Sequence, residues 1–273
     1  MSGRWRLLAR SGSFLTGAAI VTCWVICAIG GHWLAAHNAF QDDILHALAP
    51  PSAAHWFGTD QLGRDVLARV VAGARDILLV APLATALGVA LGVALGLVSG
   101  YFRGIVDEVI GRAVDALLAL PVVIIALLAL TALGTSSATV VVVIGLIFAP
   151  IISRTVRAAV LAERDLDYVA AAQLRDERVT YILFAEILPN VVRPIVVEAT
   201  VRLGYAIFAV ATLSFIGFGI QPPSPDWGLA VAENYGLINA GIWWPVLFNA
   251  LAIASLVIGV NLAAEGVQET LGT

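Results

Sequence analysis

Nine charged residues crowd the stretch from Leu161 to Pro189, and apolar runs long enough to cross a bilayer flank it on both sides. They are Glu163, Arg164, Asp165, Asp167, Arg175, Asp176, Glu177, Arg178 and Glu186. A segment this charged cannot sit in lipid. It is also patterned, because Val179, Ile182, Leu183 and Ile187 fall at helical spacing and make one apolar stripe. The chain therefore has to weave through a membrane while holding an amphipathic helical loop in the water, and such a loop is suited to docking onto a partner.

Composition agrees. Hydrophobic residues make up 60% and charged residues 12%, against roughly 25% charged in an average soluble domain. The reading is an all-α integral membrane protein. Six segments match the length of a helical span, at about 13–36, 77–100, 114–133, 138–160, 191–220 and 243–264. The first is longer than a signal-peptide core and reads as a retained anchor. Placing the N-terminus inside puts eleven arginines on the inner side and three, Arg64, Arg69 and Arg75, outside. Both ends and the charged island are then cytoplasmic.

All 15 basic residues are arginine. A Walker A loop places a lysine on the nucleotide phosphates, so this chain carries no ordinary P-loop ATPase site. Net charge is −4 with no basic block, which argues against nucleic acid as a partner. Cys23 and Cys27 lie i,i+4 in an apolar helix, and two thiols alone make no metal site. The four histidines show no HExxH-type pairing, and no span core holds a histidine to serve as base for a nucleophile. We read no catalytic, metal or cofactor site.

The organisation expected is residues 1–54 for the N-terminus, first span and start of the external segment. Residues 55–76 follow as an external segment with an interfacial helix from Asp65 to Ile77, then a five-helix core over 77–273 with the charged loop at 161–189. Gly88, Gly92, Gly96 and Gly100 recur every four residues, a smooth ridge that a neighbouring helix can approach. Pro222, Pro223 and Pro225 fix a rigid turn in the 221–241 loop, and Trp227, Trp243 and Trp244 suit the outer interface. Glu198 and Arg202 are spaced to pair within the fifth span, either lining a path or holding helices together. No inverted repeat supports a secondary-transporter plan.

Several blocks resemble one family. His55-Trp56-Phe57-Gly58-Thr59-Asp60-Gln61-Leu62-Gly63-Arg64-Asp65, the run Leu213 to Gly219 with Gln221-Pro222-Pro223 and Asp226-Trp227-Gly228, and Asn261-Leu262 with Glu265-Gly266 are similar to signatures of permease subunits of bacterial ABC importers of the dipeptide, oligopeptide and nickel group, the "C" type. The charged island falls where that family has its "EAA" coupling loop. The resemblance implies that Asp167, Tyr168, Ala170, Ala171, Ala172, Leu174, Arg175 and Asp176, with Leu188 and Pro189, meet a cytoplasmic ATPase. Residues 165–189 are then expected to form two short helices. Glu198, Arg202 and Ser214 are candidates for the translocation path, and Pro222, Pro223, Asp226 and Trp227 for the external loop.

The implied partners are a homologous second permease, two ATPase domains that carry ATP and magnesium, an external substrate-binding protein and the bilayer of the bacterial plasma membrane. The implied solute is a short peptide, with nickel chelates or another small solute as the alternative, and a secondary transporter behind them. Three positions depart from the family pattern: Ala170 for Glu, Asp176 for Gly, and Glu186 for the frequent His.

Overall fold

The computed structural model describes residues 11–272, and the N-terminal Arg4, Arg6 and Arg10 lie outside that range. Nine helices carry the described chain: α1 Gly12–Leu34, α2 Val66–Phe102, α3 Gly104–Leu118, α4 Val122–Leu133, α5 Ser137–Arg164, α6 Asp167–Leu174, α7 Val179–Phe215, α8 Trp227–Asn234 and α9 Trp244–Gly272. Among the described residues, extended pairing is limited to one isolated bridge, Thr59 to Asp65.

Helices α1, α2, α5, α7 and α9 are each long and apolar enough to cross a membrane. The sixth candidate is α3 with α4, bent by 90° at the break between them. The straight span expected over 114–133 is thus a bent pair. Pro121 lacks an amide hydrogen and disfavours helical geometry at Leu120. Helix α3 closes with the Ala119 amide on the Asp115 carbonyl, and α4 opens with the Ile124 and Ile125 amides on Pro121.

The separate interfacial helix expected from Asp65 to Ile77 is also corrected. Those residues are the first turns of α2, without a break, and Val66, Arg69, Val70, Val71 and Ile77 are buried there. The Asp65 carboxylate caps the helix by accepting from the Ala68 amide at 2.8 Å.

The chain forms two compact units. One holds the described residues up to Pro82, residues 133–140, and the described residues from Leu203 on. Within it α1 packs on α9 through small residues. A methyl group on Gly17 would lie 2.5 Å from the Gly259 carbonyl oxygen, so the backbones are nearly in contact. Trp24 Nε1 donates to Ser255 Oγ at 3.0 Å.

In the same unit the 55–65 segment is anchored as well as ordered. Asp60 accepts from the Leu62 and Arg64 amides and pairs with Arg64 Nε at 2.7 Å, and Arg64 reaches Glu233 at 3.1 Å. Phe57 stacks on Phe248 with centroids 3.9 Å apart. Trp56 is 71% exposed.

Two of the three tryptophans placed at the outer interface are core residues instead. Trp227 is fully buried and Trp244 nearly so, while Trp243 is half exposed. Trp227 donates to the Val70 carbonyl at 2.8 Å and Trp244 to the Thr59 carbonyl at 2.9 Å. Gly73 makes room for the first, since a side chain there would meet the Trp227 ring at 2.8 Å. An indole with a protein acceptor for its N–H loses the reason to sit at the water interface.

The second unit holds residues 83–132 and 141–202. Its spine is the glycine ridge of α2 laid against α5. Side chains at Gly92 and Gly96 would each meet Cβ atoms, those of Ile152 and Val156, at 2.6 Å. The four-residue period therefore does what its spacing suggests, bringing two helix backbones together.

Candidate functional site

Helix α6 is two-sided. Val169 and Ala172 are buried, and the helix packs on the Ile182–Ile187 stretch of α7, where Ile182, Leu183 and Ile187 are buried too. That stretch is a π-turn, a local widening of the helix that often marks functional positions. On the opposite face Asp167, Ala170, Ala171 and Leu174 are exposed, at i, i+3, i+4 and i+7. Leu174 is 89% exposed, a large apolar side chain standing in solvent.

The loop differs from expectation in three ways. There is one short helix, not two, because the segment from Val179 onward is the start of α7. Val179 is itself exposed, so three members of the expected apolar stripe pack and the fourth does not. Ala172, grouped with Ala170 and Ala171, lies on the buried face. Leu188 is half-buried and Pro189 exposed.

The turn after α6 accounts for Asp176. Its φ is +59°, in the left-handed region that favours glycine. The Asp176 amide donates to the Gln173 carbonyl at 3.0 Å and the Glu177 amide to Ala172 at 3.2 Å. This is the paired hydrogen-bond pattern of a Schellman stop, with aspartate at the left-handed position. The bend expected of a glycine is kept. Arg175 braces the loop, reaching Glu186 at 3.2 Å and Glu177 at 3.5 Å. Tyr168 donates to Glu163 at 2.8 Å, and partial burial with that carboxylate raises its phenol above the ordinary tyrosine range.

Glu198 and Arg202 are brought together at 2.6 Å, both largely shielded, with the guanidinium 5.9 Å from the Phe148 ring centre. Ser214 is buried, and its hydroxyl accepts from the Ile220 amide at 3.1 Å, holding the turn that follows α7. In the loop between α7 and α8 the Pro222–Pro223 bond is cis. Asp226 caps α8, accepting from the Leu229 amide at 2.9 Å, while its Oδ2 has no hydrogen-bond partner. Burial pushes this carboxyl up to about 6, with the Leu229 amide opposing the shift.

A ladder of ion pairs between α3 and α5 is a feature that sequence patterning does not reveal. Arg157 chelates Asp107 at 2.5 and 2.6 Å, Arg154 pairs with Asp115, and Arg103 at the start of α3 pairs with Asp165 just beyond α5 at 2.6 Å. The first two pairs line a cavity of about 350 Å³ together with Ser99 and Ser153. Four of these residues are helical positions whose only signal in the sequence is charge.

The family described as "Binding-protein-dependent transport system inner membrane component" matches residues 92–271. The probable D,D-dipeptide transport system permease protein DdpC of Escherichia coli (strain K12) is 35% identical over 267 residues, covering 97% of this chain and 89% of that protein. The dipeptide transport system permease protein DppC of the same strain is 37% identical over 273 residues, covering 98% and 91%. Among solved structures, the MetNI methionine ABC transporter in inward facing conformations is similar in fold. Its TM-score is 0.58 at 18% identity, over 74% of this chain and 96% of the matched one. The chain belongs to the family of inner membrane components of binding-protein-dependent transport systems, and is a multi-pass permease subunit.

Proposed function

We propose that this permease forms half of the translocation path of an ATP-driven importer of short peptides. It hydrolyses nothing itself. A homologous permease supplies the other half, two ATPase domains bind on the cytoplasmic side, and an external binding protein delivers the peptide. The names of the relatives support a dipeptide-sized solute. The absence of lysine supports a motor on another chain. The excess of arginine in the segments that would face inward supports cytoplasmic ends and a cytoplasmic α6.

The observation that carries the proposal is the exposed face of α6. Asp167, Ala170, Ala171 and Leu174 form a narrow stripe with small residues at its centre, held from behind by Val169 and Ala172. Small residues let a partner groove come close, and Leu174 gives it an apolar anchor. A helix fixed on α7 can pass a push from the motor into a span. The Glu198–Arg202 pair lies further along α7, where it would turn that movement into a change in the path. The test is reconstitution with candidate partner subunits and binding protein, reading peptide-stimulated ATP hydrolysis. Stimulation by dipeptides is expected. Hydrolysis indifferent to every short peptide, with a response to another solute, would refute the peptide assignment.

A further inference from the structure

We propose that His37, His55 and Asp65 bind a divalent first-row transition metal ion such as zinc. The inference is independent of the transported solute. One ligand atom from each residue lies within 4.8 Å of the other two. Asp65 Oδ2 stands 2.8 Å from His55 Nδ1 and 3.5 Å from His37 Nδ1, and the two imidazoles lie 4.7 Å apart. Asp65 is 6% exposed, and its other oxygen is committed to the Ala68 amide at 2.8 Å. The carboxylate is therefore oriented before any ion arrives, with one oxygen turned to both rings.

A single hydrogen bond from His55 to Asp65 would be enough to lock this segment. It leaves His37 unexplained, since that ring comes from the chain just beyond α1 and approaches the same oxygen. Two imidazoles converging on one carboxylate oxygen is the arrangement that a cation satisfies. Two nitrogens and one oxygen suit zinc, nickel or copper and disfavour magnesium and calcium.

Metal–ligand bonds of about 2.0–2.1 Å in a tetrahedron set ligand atoms about 3.3 Å apart. The His37–Asp65 pair already has that separation. The His55–Asp65 pair must open by about half an ångström as the shared proton leaves to solvent. Three protein ligands leave a fourth position open. His37 also lines a cavity of about 750 Å³ between α1 and the start of α2, a route by which the ion and a fourth ligand can enter. His46, whose ring lies 6.3 Å from that of His55, is already held by Asp43 at 2.7 Å. The ion would tie the end of α1, the 55–65 segment and the cap of α2 together.

The test uses the full chain in detergent, purified through a tag without histidine, stripped with a chelator and titrated with zinc chloride. One saturable equivalent per chain is expected, with a rise in the unfolding midpoint and a tetrahedral-type absorption when cobalt replaces zinc. His37→Ala should weaken binding beyond the roughly 10–100-fold typical of losing a supporting residue. It should leave the metal-free midpoint unchanged, because His37 is half exposed. His46→Ala and the double change Cys23→Ser with Cys27→Ser should bind like the parent. Absence of a saturable equivalent would overturn the proposal, as would parental affinity in His37→Ala. Loss of binding in the cysteine variant would do the same.

Discussion

Ala171 and Ala172 are adjacent, identical and opposite in consequence. Ala171 faces solvent on the stripe that docks in the proposed assembly, whereas Ala172 has no exposed surface and packs toward α7. Tryptophan at 171 stands clear of its own protein, so the stability change should stay within about 0.5 kcal/mol. In the assembly it would occupy space meant for the partner surface. Forcing a large side chain into a packed contact costs typically 1–3 kcal/mol, which weakens coupling by about 5–150-fold. Tryptophan at 172 meets the same penalty inside the permease, because Val169, Ile182, Leu183 and Ile187 already fill that side.

Two measurements separate the variants: thermal unfolding of the isolated permease, and peptide-stimulated ATP hydrolysis of the reconstituted assembly. Ala171→Trp should unfold like the parent and lose stimulation and uptake together. Ala172→Trp should unfold earlier and accumulate poorly. Leu174→Ala should repeat the first pattern at comparable strength, since a covered leucine side chain contributes about 1.5–3 kcal/mol. Arg175→Ala should be milder than either, because its ion pairs are largely exposed and worth roughly 0–1 kcal/mol. Normal stimulated hydrolysis in Ala171→Trp would refute the docking role of this face.

Asp176→Gly should raise the unfolding midpoint, by up to about 1 kcal/mol of relieved left-handed strain, while Asp176→Val should lower it; equal midpoints would deny that the turn limits this position. Gly92→Leu should drive α2 from α5, given the 2.6 Å approach of a modest methyl to Ile152, and insertion of properly folded chain into the membrane should fall, as read by protease resistance. Trp227→Ala should cost about 3–5 kcal/mol by opening a cavity where a fully buried indole stood, measured by denaturation in detergent. Asp226 gives a pH signature. Its folded value of about 6 lies above the ordinary 3.8, so the native state holds the proton more tightly. Stability from this group is complete below about pH 4 and is lost as pH rises through 6, about 3 kcal/mol in all. Asp226→Asn keeps a capping side chain and should flatten that slope in unfolding midpoints taken between pH 4 and 7.

What the sequence makes legible is what periodicity and length encode. The spans at Val66–Phe102, Ser137–Arg164 and Trp244–Thr270 are visible as apolar runs, and the glycine ridge is visible as a four-residue repeat, because each is a local pattern with one physical outcome. The third span was legible in composition but not in shape: Pro121 disfavours a continuous helix, and only the surroundings decide that the bend reaches 90°. The 161–189 loop was legible as a charged amphipathic segment, and the departure at Asp176 was legible as a question about a turn. Its answer needed the backbone, which shows aspartate adopting the glycine conformation within an intact Schellman stop.

The misses share one cause, which is that a side chain's role depends on what stands across from it. Trp227 carries the signature of an interface residue until the Val70 carbonyl and the space at Gly73 are placed beside it. Arg154 and Arg157 count equally as topology charges until Asp115 and Asp107 face them across two helices. The histidines are the plainest case. His37 and His55 lie far from the i,i+4 spacing of a helical metal motif, so a search for local pairing passes them by. They meet because α1 ends beside the segment that caps α2, and Asp65 performs both tasks with its two oxygens, one on the Ala68 amide and one toward the rings. A residue that caps a helix with one atom and gathers imidazoles with the other links fold to site directly. Removing it should therefore loosen α2 and abolish metal binding in one step, while removing His37 should do only the second.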